Sequence, residues 1–553
     1  MTELRRTVEC DIRPTQDEHT RGMTHAIGNA TEKAPSTGQS LTEHECSGAC
    51  WLKMGQEQLA ESLPVLVLRS GGLACFNGGI ERATEEQLRS ALTILLQASL
   101  EYPALGEMVV EIGRSGSWKL ARAALELAPL VTRPQPIQAL LLSLVEAAQP
   151  EIVNSLARAL PIQSMNLGPV AVATIERQIV ILRGSSPSSP KHDSPALADA
   201  LTQLGARLTD LEQPEAALTA TREAVKMYRR LNKQGRNPFP ASIAFALTNL
   251  SHSLTATGQH THAFGAAQEA TALCRHLSHQ DPHAYASRLA GSVNAMASCL
   301  GNLERRVEAV TAAEEAIQLF RSLARQDRAY MKHLATALRT LARQLDGLGR
   351  STEALAHTKE AVRILRNLTR LAPDAHLPDL VSAVTALSRQ FSDLGMHPQA
   401  AAHSRDAARY SRRFAEHGSD LYLAKLASSL GNLAVALVKS GWHTDALSST
   451  EEATRLWRRL AASAPELHQP ALASSVNSLA IALASAGRKQ EALSCAREVV
   501  RIRQILARQD PDIYLPTLAD SLNNLAHQLT GLGHEQEAAS QYDEAAKIRG
   551  QLI

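Results

Sequence analysis

The segment GRSGSWK at 113–119 is the nearest approach in this sequence to a phosphate-binding loop. Such a loop needs the spacing Gly-x-x-x-x-Gly-Lys-Ser/Thr, because backbone amides surround the phosphates while the lysine meets their charge. Here Gly116 follows Gly113 too closely, and Lys119 is followed by Leu120 instead of Ser or Thr. The segment does not predict nucleotide binding, and we expect no cofactor.

The segment HECSGAC at 44–50 has residue types that bind metals, namely His44, Cys46 and Cys50. Its spacing matches no complete zinc pattern, and the flanking sequence is polar. We interpret these as incidental residues and predict no metal site. The chain also lacks a serine nucleophile elbow, a His-Glu-x-x-His sequence and a Cys-x-x-Cys pair. The sequence therefore predicts that the protein is not an enzyme.

Length and composition indicate the fold class. A chain of 553 residues is too long for a single core. The sequence is 44% hydrophobic but only 3% aromatic, which favours closely packed helices over β-sheets. A net charge of +2 gives no general attraction for nucleic acid or anionic lipid. The N-terminus has no apolar signal region and no later stretch is long enough to span a bilayer, so we predict a cytoplasmic protein that does not bind membranes.

An internal repeat of 46 residues, with one interval of 45, covers the C-terminal two thirds of the chain. Its clearest marker is a turn residue between two apolar segments, which is glycine in most units. We call this residue the turn anchor. The eight anchors are Glu212, Gly258, Glu304, Gly349, Gly395, Gly441, Gly487 and Gly533.

Other positions keep a fixed distance from the anchor. Leu or Met stands eight residues before it, and Leu or Phe four residues before it. Alanine stands five residues after it in all eight units, from Ala217 to Ala538, and twelve residues after it in seven, with Val499 as the exception. This spacing predicts two antiparallel helices per unit, helix A before the anchor and helix B after it, which approach closely at the alanines.

The pattern resembles the tetratricopeptide repeat, in an extended form similar to that of kinesin light chains and of bacterial signalling proteins. The resemblance covers about 195–553 and departs from the 34-residue form in helix length. It implies an all-α fold, a right-handed α-solenoid of antiparallel helix pairs. It also implies a non-enzymatic scaffold or sensor that binds a protein or peptide in its concave groove, with a neighbouring-gene enzyme as one candidate partner.

In tetratricopeptide arrays the groove is lined by helix A, at ten, nine and six residues before the anchor. Asparagine is unfavourable inside a helix, so its recurrence there predicts hydrogen bonds to a peptide backbone, or else to the neighbouring helix or water. The groove positions of interest hold Asn249, His252, Asn294, Arg339, Arg343, Arg389, Asn432, Asn477, Asn523, Asn524 and His527.

Three of these residues are basic. Arg339 and Arg343 stand one helical turn apart, and Arg389 follows in the next unit. Together they predict a basic centre for an acidic ligand. The alternative is local ion pairing, because Asp346 follows Arg343 by three residues and Asp393 follows Arg389 by four.

The N-terminal third contains no clear repeat. We predict disorder over 1–60, a helical region over 61–183 that caps the array, a linker over 184–195 and eight repeats over 196–553. A separate effector domain within 60–165 is an alternative for the cap. The alternative function is a regulator with a DNA-binding N-terminal region, but SGSWKLARAALELA and the preceding Arg114 supply only three basic residues, so nucleic acid is the weaker partner prediction.

Overall fold

The structure is a computed structural model. It describes residues 50–54, 56–68, 72–131, 133–161, 164, 166–184, 194–233, 239–415 and 420–551. Within these ranges it contains 24 α-helices and two short 3-10 helices, with no β-strand. The predicted all-α class is confirmed.

The first eight helices precede the repeats. A short 3-10 helix at Cys50–Lys53 comes before them. They are α1 (Gln56–Leu68), α2 (Gly72–Ile80), α3 (Glu85–Ala98), α4 (Pro103–Gly113), α5 (Trp118–Leu127), α6 (Gln135–Ala147), α7 (Pro150–Ala159) and α8 (Gly168–Gly184). At the start of α3 the Thr84 hydroxyl accepts from the Gln87 amide while the Gln87 side chain accepts from the Thr84 amide, which forms a reciprocal cap.

Sixteen further helices form the repeats, in the predicted alternation of helix A and helix B. They are α9 (Pro195–Asp210), α10 (Pro214–Lys233), α11 (Pro240–Ala256), α12 (His260–Gln280), α13 (Pro282–Asn302), α14 (Arg306–Gln326), α15 (Met331–Gly347), α16 (Ser351–Leu371), α17 (Pro373–Asp393), α18 (His397–Ala415), α19 (Asp420–Lys439), α20 (His443–Ser463), α21 (Pro465–Ser485), α22 (Lys489–Gln509), α23 (Pro511–Thr530) and α24 (Glu535–Gln551).

The turn anchors have the left-handed backbone conformation that the sequence predicts. Every anchor has a positive φ, from 57° at Glu212 to 82° at Gly533. At Gly258 the next amide, that of Gln259, donates back to the Leu254 carbonyl over 2.8 Å. This closes the helix end and satisfies a terminal carbonyl. Glu212 and Glu304 adopt the same conformation, which costs a residue with a Cβ about 1–2 kcal/mol.

The alanine positions lie in the packed interior. The alanines five residues after the anchor are completely buried from Ala217 to Ala492, and Ala538 is nearly so. Those twelve residues after the anchor, together with Val499, are at most 2% exposed. Helices of one pair pack along their length, as α9 does on α10 and α15 on α16. Methyl-sized side chains permit this close approach.

The folded N-terminal region begins earlier than predicted. Trp51 is 1% exposed and stacks on Phe76 with ring centroids 5.0 Å apart. Both belong to a core that continues to Ala171. The predicted disorder over 1–60 is therefore wrong for the described residues from 50 onward, because Trp51 has a buried aromatic partner; residues 1–49 lie outside the described residues. Most of the predicted linker over 184–195 also lies outside them.

The chain divides into two compact units, Met1–Ala266 and Ala267–Ile553. The boundary falls inside α12, and not at the predicted linker. The first unit contains the N-terminal helices and the first repeats. The second unit contains six helices A, which are α13, α15, α17, α19, α21 and α23. Four cysteines, Cys75, Cys274, Cys299 and Cys495, are buried.

Candidate functional site

In the second unit, neighbouring helices A lie side by side. Gln390 of α17 donates to Asp346 of α15 over 2.7 Å, and Asn524 of α23 donates to Asn477 of α21 over 3.1 Å. A Cβ on Gly301 of α13 would lie 2.1 Å from the amide oxygen of Gln344 on α15. The exposed side chains of these helices thus follow one another from repeat to repeat. We call this surface of the second unit the helix-A face.

The eleven predicted groove residues are divided between the two units. Asn249 and His252 lie in α11 of the first unit, and the other nine lie in the second. His252 is accessible to solvent, yet enough protein surrounds it for desolvation to lower its pKa. His527 is exposed on α23.

The basic centre lies on α15. Arg339 is 3.8 Å from Asp379 of α17, a carboxylate that also receives Lys332 at 2.9 Å. Arg343 is exposed and forms no ion pair with a described carboxylate. Burial lowers the pKa of both arginines, and for Arg343 the neighbouring Arg339 and Arg306 lower the pKa further. Asp379 thus pairs with Arg339 and not with Arg343, which leaves the Arg343 guanidinium without an ion pair among the described residues.

The local ion pairs offered as the alternative do not form among the described residues. Asp346 faces the next repeat instead, where Gln390 donates to it and Arg389 approaches to 3.9 Å. Burial raises the pKa of Asp346 despite these partners. Arg389 has a side chain 62% exposed, and its ion pair is long. Its guanidinium therefore keeps most of its donors for another group.

The asparagines differ in what they contact. Asn249 donates to the Thr202 carbonyl over 3.5 Å, and Asn477 accepts from Asn524. The Asn523 amide lies 2.8 Å from the guanidinium of Arg549. For Asn249, Asn477 and Asn524 the bond to a neighbouring helix, which the sequence left as an alternative, is the one observed, and the Asn523 amide lies where it can accept from Arg549.

Two asparagines have no such contact. The Asn294 side-chain oxygen is buried and has no hydrogen-bond partner among the described residues. Asn432 of α19 is exposed. Of these two amides, that of Asn432 is the one exposed to an incoming ligand.

Sequence reasoning missed an apolar part of the same face. Six residues before the anchor, where α15 and α17 carry arginine, α19 and α21 carry Val435 and Ile481. These side chains are 51% and 48% exposed, and Val438 on α19 is 42% exposed. The signal was present in the sequence as a change from basic to apolar residues at one repeat position.

A second feature that was missed lies on helix B. An arginine seventeen residues after one anchor pairs with a carboxylate eleven residues after the next anchor, and we call this series the helix-B ladder. Its distances run from 2.6 to 3.2 Å. The five pairs found among the described residues are Arg275–Glu315, Arg321–Glu360, Arg366–Asp406, Arg412–Glu452 and Arg458–Glu498. Arg183 of α8, which lies before the first anchor, pairs with Glu223 in the same way.

The basic residues proposed for a DNA-contacting helix have intramolecular partners. Lys119 donates to the Glu81 carbonyl over 2.8 Å. Arg122 pairs with Glu85 at 3.0 Å, and Arg114 pairs with Glu111. The described N-terminal helices therefore present no free basic cluster from these residues.

The described part of the chain contains no group of three or more His, Cys, Asp or Glu side chains arranged to hold a metal ion. None of its helices is long and apolar enough to cross a membrane.

Comparison with known proteins places two segments in one family. The tetratricopeptide repeat family model matches residues 197–236 and 472–512, which correspond to the first repeat and to most of the seventh. No curated protein matches the chain by sequence.

Three solved structures illustrate the similarity. The chain is 22% identical to BtubC (BKLC) from P. vanneervenii, with 45% of this chain and 92% of that chain covered and a TM-score of 0.38. It is 14% identical to aspartyl phosphate phosphatase F from Bacillus subtilis (72% and 94% covered, TM-score 0.40). It is 12% identical to a Signal Transduction ATPase with Numerous Domains protein with a tetratricopeptide repeat sensor from Pyrococcus horikoshii (95% and 91% covered, TM-score 0.44). Two segments of this chain thus match the tetratricopeptide repeat family model, within an array of helix pairs that end in left-handed turn anchors.

Proposed function

We propose that this protein is a non-enzymatic scaffold or sensor, and that the helix-A face of its second unit binds an extended peptide segment of a partner protein. The observation that carries the proposal is the exposed row six residues before the anchors. In successive helices A it reads Arg343, Arg389, Val435 and Ile481. The row offers two cations and then two apolar side chains along one surface.

The two arginines at the basic end of this row favour an acidic ligand. Arg343 has no ion pair among the described residues, and Arg389 has a long one. A carboxylate placed between them would accept charge-assisted hydrogen bonds, which are stronger than those between neutral groups. Since Asp346 is held by Gln390, it competes only weakly for these guanidinium groups.

The apolar end of the row determines the order of side chains along the bound peptide. Val435 and Ile481 lose exposed surface if apolar peptide side chains cover them, which favours binding by about 25 cal/mol per Å² of apolar surface buried. Packed helices lie about 8–10 Å apart, and an extended chain advances about 3.3 Å per residue. One repeat therefore spans roughly three peptide residues. The ligand we propose has acidic residues at i and i+3 and apolar residues at i+6 and i+9.

The test is fluorescence anisotropy with a labelled peptide of this pattern and a scrambled peptide of the same composition. Arg339→Glu combined with Arg343→Glu is expected to weaken binding of the patterned peptide by about tenfold or more, because attraction becomes repulsion in a partly desolvated site. The unfolding midpoint should fall only modestly, because Arg343 has no ion pair to lose and the pair that Arg339 loses, with Asp379 at 3.8 Å, is a long one.

The matched control is Arg455→Glu combined with Arg459→Glu on α20. These two exposed arginines belong to the same unit, and their reversal changes the net charge by the same amount. The control should bind the patterned peptide within about threefold of the wild type, as expected when only long-range screened charges change. Equal losses in both double variants, or equal affinity for the scrambled peptide, would contradict the proposed surface.

We also propose that the protein is cytoplasmic and that it has no catalytic activity. A DNA-binding N-terminal region is the weaker alternative, because Lys119 and Arg122 are already held by Glu81 and Glu85. A salt-dependent DNA mobility shift by the whole chain would favour that alternative.

A further inference from the structure

A basic cleft lies on the helix-B side of the second unit. It is bounded by α16 and α18, and Val362 and Leu387 form its apolar floor. Its volume is about 360 Å³, at the lower end of the range for small-molecule sites. The cleft is separate from the helix-A face, because its polar walls come from helices B.

Four cations of α16 face this cleft. Lys359, Arg363, Arg366 and Arg370 follow one another at steps of four, three and four residues, so they share one side of the helix. Lys359, Arg363 and Arg370 are exposed and form no ion pair with the described side chains. The cleft is therefore strongly positive.

One carboxylate lies beside these cations. Asp406 of α18 accepts from Arg366 over 3.2 Å as part of the helix-B ladder. Its other oxygen accepts from Arg409 over 2.8 Å. Glu360 also lies on α16, but it pairs with Arg321 of the preceding repeat at 2.8 Å. Asp406 therefore offsets the charge of Arg366 alone, and Glu360 is engaged outside the cleft, so three of the four cations stay uncompensated.

Two buried nitrogen atoms at the cleft have no hydrogen-bond partner among the described residues. They are Nε of Arg366 and Nδ1 of His403. His403 stacks on Phe391 with ring centroids 5.2 Å apart, and the Lys359 ammonium lies 5.2 Å from the same ring. The aromatic ring thus orients both polar groups. Buried polar atoms without partners are uncommon in folded proteins, and a ligand is one way to satisfy them.

We propose that this cleft binds the phosphate group of an organic phosphate. Guanidinium groups present paired N–H donors that match phosphate oxygens, and three arginines with one lysine converge here. The Nε–H of Arg366 supplies a further donor from the floor of the site. Val362 and Leu387 provide an apolar surface for the organic part of the ligand. The same phosphate chemistry could come from a free small molecule or from a phosphorylated side chain of a protein.

The experiment is isothermal titration of the full chain with pyrophosphate and with inorganic phosphate. Arg363→Ala combined with Arg370→Ala removes two arginines of the cleft and leaves the helix-B ladder intact. The variant removes two sets of charge-assisted donors to the phosphate oxygens, so pyrophosphate affinity should fall by about tenfold or more. Arg455→Ala combined with Arg459→Ala removes the same charge outside the cleft and should retain affinity within about threefold.

Three outcomes would overturn the proposal. They are no pyrophosphate binding at millimolar concentration, equal losses in both double variants, and retention of full affinity by Arg363→Ala with Arg370→Ala. Phosphoserine, free and within a short peptide, distinguishes the two sources: equal affinity indicates a small organic phosphate, and tighter binding of the peptide indicates a phosphorylated protein. Charge reversal at Arg339 and Arg343 should not change pyrophosphate affinity, so this test is independent of the proposed peptide surface.

Discussion

The closest helix contact in each repeat can be tested at Ala354. This residue follows the anchor Gly349 by five positions and is completely buried. Ala356, two residues later on the same helix α16, is exposed. Substituting tryptophan at each position places the same side chain once into the contact and once into solvent.

The expected magnitude follows from this difference in burial. Both substitutions lose the same helix propensity, about 0.5 kcal/mol relative to alanine. At Ala354 the indole must also fit where a methyl group now fills the space, and overpacking of this kind costs about 1–3 kcal/mol, occasionally more. At Ala356 a solvated indole should add less than about 0.5 kcal/mol. Ala354→Trp should therefore be less stable than Ala356→Trp by about 1–3 kcal/mol.

The assay combines urea unfolding with hydrogen exchange. Because repeat arrays unfold in parts, a single midpoint does not locate the damage. Exchange should accelerate in α15 to α17 for Ala354→Trp and remain slow in α21 to α24. If both variants unfold at the same urea concentration, or if exchange accelerates uniformly, the alanine is not at the tight helix contact.

Three further outcomes are expected. Burial raises the pKa of Asp346 above its ordinary value of 3.8, so the folded chain retains this proton more readily than the unfolded chain. Asp346→Asn should therefore raise the urea midpoint at pH 7, and the gain should vanish below the unfolded pKa. A double-mutant cycle between Arg458 and Glu498 should give a coupling of about 0.2–1 kcal/mol that falls with added salt, because the pair is partly exposed. Deleting 510–553 should lower the stability of the remaining repeats gradually, as followed by circular dichroism, and complete loss of helix would contradict nearest-neighbour stability.

Much of the fold could be predicted from the sequence because single residues determine it. A left-handed turn is strongly favoured by glycine, so glycine at a period of about 46 residues marks six of the eight turns between helix A and helix B. A close helix contact accepts only a small side chain, so Ala354 and its equivalents mark the helix pairs. These requirements are local, and they are visible without knowledge of any distant contact.

The features that were missed depend on partners far apart in the chain. Trp51 lies in a polar segment, and nothing near it in sequence shows that Phe76 will stack on it. Asp346 was considered only with residues on its own helix, whereas its contacts come from Gln390 and Arg389 of the next repeat. Spacing within one helix cannot show which repeat a long side chain will reach.

The helix-A face and the helix-B ladder differ in how their residues recur from repeat to repeat. This difference distinguishes structural positions from candidate binding positions. A structural requirement recurs with the repeat, because each repeat meets its neighbour in the same way. The helix-B ladder does so, with arginine and a carboxylate at the same two repeat positions through five pairs.

The position six residues before the anchor behaves differently. In the second unit it reads Ser298, Arg343, Arg389, Val435, Ile481 and His527. A solvent-accessible position that changes charge and polarity from repeat to repeat, within a chain that otherwise repeats closely, is not determined by packing. An extended ligand places a different side chain opposite each repeat, so each repeat contacts a different part of it. A row that varies from repeat to repeat fits such a ligand.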